Sequence, residues 1–529
     1  MAPTPHGEIP QGLGESLKSY RRAGIQSFRI HPMISANPLL FEISARKFVE
    51  SLKAITDSEA TLADVPDEWF KNLADQGFDT VWLMGVWQLG EVGRKISLDR
   101  GRRSGEFERL LPGWTEADVS GSPYCVQDYR VHQDFGRDEA LAVFRSKLRE
   151  HGMGLVLDFV PNHTACDHRW VKEHPEYYVH GTPGLLVGQP DNYAEQDGTI
   201  FAHGRDPYFP GWPDVFQLDY RKELVQQAMM EDLALVSGLC DGVRCDMSML
   251  VLPDIFAKTW GVLPDSLSRE AAKGSFWSRA IDRVKEKCPD FKFIAEAYWG
   301  LEYRLQMEGF DYTYDKTLYD RLVHQNMHEI HADLTDWPPL ARGVHFLENH
   351  DEPRTASAFP EPSYRQAAAV LTLSLPGVRL VYDGQIEGRK LRYCIHLRRA
   401  ADVPSVENES SFYERLFQAV KGSVIGKGIS SFIPSRPTWA GNTRYSDIQA
   451  ILWEKDGKRD LVVVNLSGNE CDTRLSFFFT GMGSRQWGFK NRLGLEEYTR
   501  SGDEIGTTGL YIKLLPYQAQ IFELSRSQE

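Results

Sequence analysis

Short apolar runs alternate with stretches of helical period from residue 39 to residue 382. Leu39-Leu40-Phe41-Glu42-Ile43 and Thr80-Val81-Trp82-Leu83-Met84 read as strands. Between them lies a helix over residues 66 to 76, with Pro66 near its start, Trp69, Phe70 and Leu73 on one face, and Gly77 ending it. Residues 88 to 121, rich in glycine and arginine, read as a long loop. Asp138 is the expected cap of a helix whose Leu141, Phe144 and Leu148 fall at helical spacing. Gly154-Leu155-Val156-Leu157-Asp158-Phe159-Val160 is a continuous apolar run of the kind a parallel sheet buries on both faces. Periodicity lapses over residues 161 to 213, too long for an ordinary connection, so an inserted subdomain is expected there. It returns in a helix from residue 221, with Val225, Ala228, Met229, Leu233 and Val236 on one stripe.

Further strands are expected at 241–247, 291–296, 310–313, 344–347 and 378–382. Helices fall between them at 276–287, 301–309 and 317–330, and one is opened by Ser363 with Gln366 completing a capping box. Eight strand–helix repeats in about 380 residues predict a (β/α)₈ TIM barrel. Beyond residue 427, strands at 448–452, 460–466, 473–479 and 511–524 follow one another without helices, which predicts an antiparallel β-sandwich. The expected organisation is an N-terminal extension (1–38, with a basic pair at Arg21-Arg22), a barrel (39–426) carrying an inserted domain (161–213), and a C-terminal β domain (427–529).

Composition narrows the function class. With 74 acidic against 60 basic residues the net charge is −14, which argues against a nucleic-acid surface. Thirteen tryptophans suit a face that stacks on sugars, or simply a core. Seven scattered cysteines form no disulfide framework, no run reaches the length of a membrane span, and the first nine residues lack an apolar core. A cytoplasmic protein is expected.

In a barrel, reactive groups gather at the C-terminal ends of the strands. Asp241-Gly242-Val243-Arg244-Cys245-Asp246-Met247 places Arg244 and Asp246 on one side of its strand. An arginine beside a carboxylate keeps it ionised, in a structural pair or in a reactant alike. The other strand ends add Asp158, Asn162 and His163, then Glu296, then His350 and Asp351. Asp246, Glu296 and Asp351, with two histidines and an arginine at one mouth, fit glycoside hydrolysis, in which one carboxylate attacks and another donates a proton.

Four stretches, Asp158-Phe159-Val160-Pro161-Asn162-His163, Gly242-Val243-Arg244-Cys245-Asp246, Ala295-Glu296-Ala297 and Phe346-Leu347-Glu348-Asn349-His350-Asp351-Glu352, resemble in order the four sequence regions of the α-amylase family, glycoside hydrolase family thirteen. The resemblance runs from about residue 40 to the C-terminus. It implies that Asp246 is the nucleophile, Glu296 the acid and then base, and Asp351 a sugar-binding group that steadies the transition state. It further implies that Arg244 keeps Asp246 ionised and aimed, that His163 and His350 hydrogen-bond the sugar, and that Asp158 supports Arg244 from behind. Tyr124 is similar to the family's sugar-stacking tyrosine, a core role being the alternative. Trp299 either stacks on an acceptor sugar or packs.

The resemblance implies no cofactor for the chemistry and a structural calcium with Asn162 as candidate ligand. No histidine pair among His163, His168, His174, His180 and His203 has a zinc spacing on a helix. Met249 and Leu250 stand where starch-cleaving members carry Lys-His, a departure from an ordinary endo-amylase. The expected function is a retaining glycosidase acting on an α-linked oligosaccharide or glucan, as hydrolase or glucanotransferase. The alternatives are a phosphorylase, served by arginines in 94–109 and 392–399, and a non-catalytic glucan binder.

Overall fold

The structure, a computed structural model, describes residues 33–262, 274–336, 341–403 and 405–527. The expected extension lies outside the described residues up to residue 32, Arg21 and Arg22 included. Eight parallel strands close into a barrel: β1 (Leu39–Ser44), β2 (Thr80–Met84), β3 (Gly154–Phe159), β4 (Gly242–Cys245), β5 (Lys292–Ala295), β6 (Tyr312–Tyr314), β7 (Gly343–His345) and β8 (Val378–Tyr382). Each pairs with its neighbours in chain order, and β8 returns to β1 through Leu39 opposite Arg379. Every residue of β1, β2, β3, β4 and β8 is buried, as expected of strands covered by helices outside and side chains within.

A four-stranded antiparallel sheet follows β3. His163–Ala165 pairs with Trp212–Gln217, which pairs with Thr199–Gly204 and through it with Tyr193–Gln196. Past the barrel, a six-stranded and a three-stranded antiparallel sheet share one apolar core. Period two divides the labour in the six-stranded sheet. Ile451, Trp453, Val462 and Val464 join the barrel's core, whereas Ala450, Leu452, Leu461 and Val463 fill the sandwich. Trp453 Nε1 donates to Ser374 O at 2.8 Å and ties the two bodies together.

Several expectations of local structure are corrected. The glycine- and arginine-rich stretch contains a strand (Trp87–Leu89) and a fourteen-residue helix, Glu91–Ser104. That helix is held by its surroundings: Asp167 Oδ2 accepts from Val92 N at 3.1 Å, and a methyl group at Gly93 would lie 2.6 Å from Cys125 Sγ. Glycine lowers helix propensity but permits this close approach. Asp138 caps nothing; Gly136 is the cap, and Asp138 Oδ1 accepts from Val131 N at 3.0 Å. Glu361, not Ser363, caps Pro362–Thr372 by accepting from Ser363 N. The helix expected over 317–330 is two, Lys316–Val323 and Met327–Asp336, parted at Gln325 with φ 53°. The last expected strand is likewise two, Leu510–Leu514 and Ala519–Arg526, with Tyr517 at φ 56° in the turn. Among the described residues no helix is long and apolar enough to cross a membrane.

Candidate active site

The C-terminal ends of the barrel strands open into a cavity of about 470 Å³, on which Tyr124, His163, Asp246, Glu296, Tyr298 and Asp351 converge. Arg244 is buried against two of these, Asp246 and Glu296. The guanidinium is 1% exposed and lies over three rings, with Cζ 5.1 Å from Tyr124, 5.3 Å from Trp82 and 5.6 Å from Tyr314. Nη1 donates to Asp246 Oδ1 at 2.7 Å, and Nη2 lies 2.7 Å from Glu296 Oε2 as an ion pair off the N–H direction.

Backbone geometry sets the two carboxylates. Asp246 N donates to Phe159 O across β3 and β4, at 2.8 Å, and Glu296 N donates to Cys245 O across β4 and β5, at 3.1 Å. Met247 then turns into the left-handed region, φ 41°, and delivers its N–H to Glu296 Oε2 at 2.6 Å. A non-glycine residue there is strained, and such strain gathers at functional sites. Tyr298 Oη donates to Glu296 Oε1 at 2.8 Å.

Burial raises both carboxyls, and Arg244 pulls each back. Glu296 is pushed up to about 7, burial leading and Asp246 and Asp351 adding to it. Two coupled carboxyls take up one proton before a second. The aligned hydrogen bond from Arg244 goes to Asp246 and favours its ionised form.

His350 stands between two acids. Nδ1 is 2.6 Å from Glu42 Oε1 and Nε2 is 3.1 Å from Asp351 Oδ2, with the Tyr124 hydroxyl 2.6 Å from Nε2. Burial alone would lower its pKa, but Asp351 and Glu42 lift it to about 10, so it is an imidazolium at neutral pH. Asp351, opposed by burial, is drawn down to about 2 by His350. His163 has the opposite fate: burial lowers it to about 4 and leaves it neutral.

Asp158 is fully buried behind this group. It accepts from Trp82 Nε1 at 3.2 Å and Gly85 N at 2.8 Å, and no hydrogen bond joins it to Arg244. Trp299 is not among the residues lining the cavity; it is 42% exposed, at φ 65°, and meets Tyr208 edge-on with centroids 5.2 Å apart.

Sequence reasoning missed Glu42, Tyr298 and the arginine-bearing helix. Glu42 carried a signal: it is the lone charge inside an otherwise apolar strand. Tyr298 lies two residues beyond Glu296, on the same side of an extended segment. Arg100 and Arg103 line the cavity from the helix Glu91–Ser104, read from sequence as loop.

Asn162 does not fit a calcium site. Its Oδ1 and its backbone carbonyl both accept from Gln217 Nε2, each at 2.9 Å, and Leu218 O accepts from the same nitrogen at 3.1 Å. An amide donor thus holds the oxygens a hard cation would need. Among the described residues, no three of His, Cys, Asp and Glu are grouped so as to hold a metal.

Residues 71–391 match the family model for the α-amylase catalytic domain. Curated relatives include an alpha-1,4-glucan:maltose-1-phosphate maltosyltransferase from Pseudomonas aeruginosa, 25% identical over 59% of this chain and 41% of its own length. Maltase 1 from Drosophila virilis is 24% identical over 50% of this chain and 49% of its own. The chain thus spans less than half the length of either relative. Among solved structures, a noncanonic maltogenic α-amylase from Thermotoga neapolitana aligns with TM-score 0.64 at 21% identity, over 92% of this chain and 98% of that one. A trehalose-6-phosphate hydrolase from Bacillus licheniformis aligns with TM-score 0.61 at 13% identity, over 93% and 99%. These structures share the fold. The family match covers well over half of the chain, and the chain belongs to the α-amylase catalytic-domain family.

Proposed function

We propose that the protein is a retaining enzyme of α-linked oligosaccharides or glucans, working by double displacement. What carries this proposal is Arg244, which bridges two buried carboxyls, Asp246 and Glu296. A gap spanned by one guanidinium is consistent with the roughly 5–5.5 Å between carboxyls of a retaining enzyme, against roughly 6.5–9.5 Å for an inverting one.

Asp246, ionised, attacks the anomeric carbon while Glu296 gives its proton to the departing oxygen. The bond to that oxygen breaks and a glycosyl ester forms on Asp246. Glu296, now a carboxylate, takes a proton from the water or sugar hydroxyl that cleaves the ester. Positive charge on the ring carbon in both steps is steadied by Asp351, held ionised by the His350 imidazolium. Tyr124 and His163 supply the ring contacts of the same subsite, and Trp299 with Tyr208 an aromatic rim for a further sugar. The seven free cysteines fit a reducing, cytoplasmic setting.

A second reading has one specific support. Arg100 and Arg103 face the cavity, and Arg100 and Arg392 share Glu106 at 3.4 and 3.5 Å, leaving guanidinium in excess on that wall. Such a wall suits a phosphorylated sugar or phosphate as co-substrate.

Products from maltoheptaose, with and without phosphate, and from maltose 1-phosphate separate these readings when measured beside Asp246→Asn. Shorter sugars alone mean hydrolysis, longer ones alongside them mean transfer, and phosphate-dependent sugar phosphate means phosphorolysis. Equal products from wild type and Asp246→Asn would overturn the proposed role of Asp246.

A further inference from the structure

Glu296 has three neighbours, and only one of them can change roles. Oε2 receives the Met247 N–H at 2.6 Å and the Arg244 Nη2 contact at 2.7 Å. A backbone amide and a guanidinium only donate. A proton on Oε2 would face two donors, so the acid form must carry its proton on Oε1. Oε1 faces the Tyr298 hydroxyl at 2.8 Å, which both donates and accepts.

We infer that Tyr298 is a positioning residue for the proton of Glu296, accepting from Oε1–H when Glu296 is the acid and donating to Oε1 when it is the base. This inference rests on the reading of Glu296 as acid and base. In the resting site the proton is parked on Oε1, on the side of the cavity that Tyr298 lines. As substrate enters, the glycosidic oxygen replaces Tyr298 Oη as acceptor. The proton passes to that oxygen as the C–O bond breaks, and the carboxylate left behind receives the Tyr298 O–H. In the second step the incoming hydroxyl returns a proton to Oε1. The phenol is suited to this, since burial and the Glu296 charge raise its pKa well above the ordinary value and it stays a hydroxyl throughout.

Tyr124 bonds to His350 and Tyr314 accepts from Arg244, so neither is free to serve Glu296.

Tyr298→Phe keeps the ring and removes only the hydroxyl. Both hydrogen bonds are lost, and the charge-assisted one to the carboxylate is the stronger, so the pKa of Glu296 rises. The alkaline limb of kcat/KM should move up by about half to one pH unit. The rate should fall by roughly tenfold in kcat with KM little changed. Carboxyl titration by carbon NMR on unliganded protein, with Glu296→Gln to assign the signal, reads the same rise without any substrate. An unmoved Glu296 titration in Tyr298→Phe, in protein with a native melting profile, would overturn the inference whatever happens to the rate. A shifted titration in an enzyme inactive on every α-glucoside would leave Tyr298 in place and count against the proposed function instead.

Discussion

His350 carries its positive charge because Glu42 and Asp351 flank it in a site where an isolated imidazole would be neutral. Its folded pKa of about 10 stands above the ordinary 6.5. A raised histidine pKa contributes stability that is complete below the unfolded value and disappears as pH climbs through the folded one. Asp351 works in the opposite sense: at about 2, below its ordinary 3.8, it contributes above the unfolded value and loses that contribution as acid drives it toward 2. The stability gap between wild type and His350→Gln should therefore be widest near pH 6 and close steadily toward about pH 10. Thermal midpoints across that range test this, and a constant gap would contradict it. Arg244 shows the same logic with packing added: three aromatic faces and two carboxylates surround one charge, so removing both carboxylates would strand the guanidinium.

At the scale of elements, Gln217 joins the end of the strand Trp212–Gln217 to the loop after β3, and its amide nitrogen serves three oxygens. Gln217→Leu would take this donor from Asn162 Oδ1 and Leu218 O, while Asn162 O keeps the Leu218 N–H, and should destabilise by about 2–3 kcal/mol. A chelator, by contrast, should leave the wild-type melting temperature unchanged. A fall of several degrees with chelator would show that a cation, not Gln217, holds this junction. Why some elements were legible in the sequence and others not follows from where their stability comes from. The barrel strands are continuous apolar runs, such as 154–160, whose burial on both faces is their defining physics. The strand-end residues Asp246, Glu296 and Asp351 were legible because charge at the end of such a run has no packing role to explain it. The helix Glu91–Ser104 was not, because three of its residues are arginines beyond position 99 and its glycines oppose helix; Asp167 and the close approach to Cys125 come from elsewhere in the chain. Its arginines were named as candidate cationic groups, but as parts of a loop and not of a helix. Helix caps failed similarly: Glu361 and Gly136 took positions for which Ser363 and Asp138 were the better residues by propensity alone.

Across the whole molecule, the side chains gathered at the site come from four barrel strands. Glu42 sits on β1, Arg244 and Asp246 on and just beyond β4, Glu296 just beyond β5, and His350 and Asp351 follow β7. The closed barrel holds these ends in fixed register, so a carboxylate far away in sequence meets its partner without loop reorganisation. The sandwich braces the same barrel from outside through Ile451, Trp453, Val462 and Val464. In the proposed mechanism Asp246 forms a covalent bond to the sugar during turnover. The direct test is mass spectrometry of protein treated with 5-fluoro-α-D-glucosyl fluoride, whose electron-poor ring slows ester breakdown more than it slows attack at a retaining site. The expected result is one glycosyl adduct per chain on the peptide containing Asp246, absent in Asp246→Asn and lost on adding an acceptor sugar or on long incubation in water. An enzyme that turns over α-glucosides yet gives no adduct, or carries it on another residue, would contradict the claim.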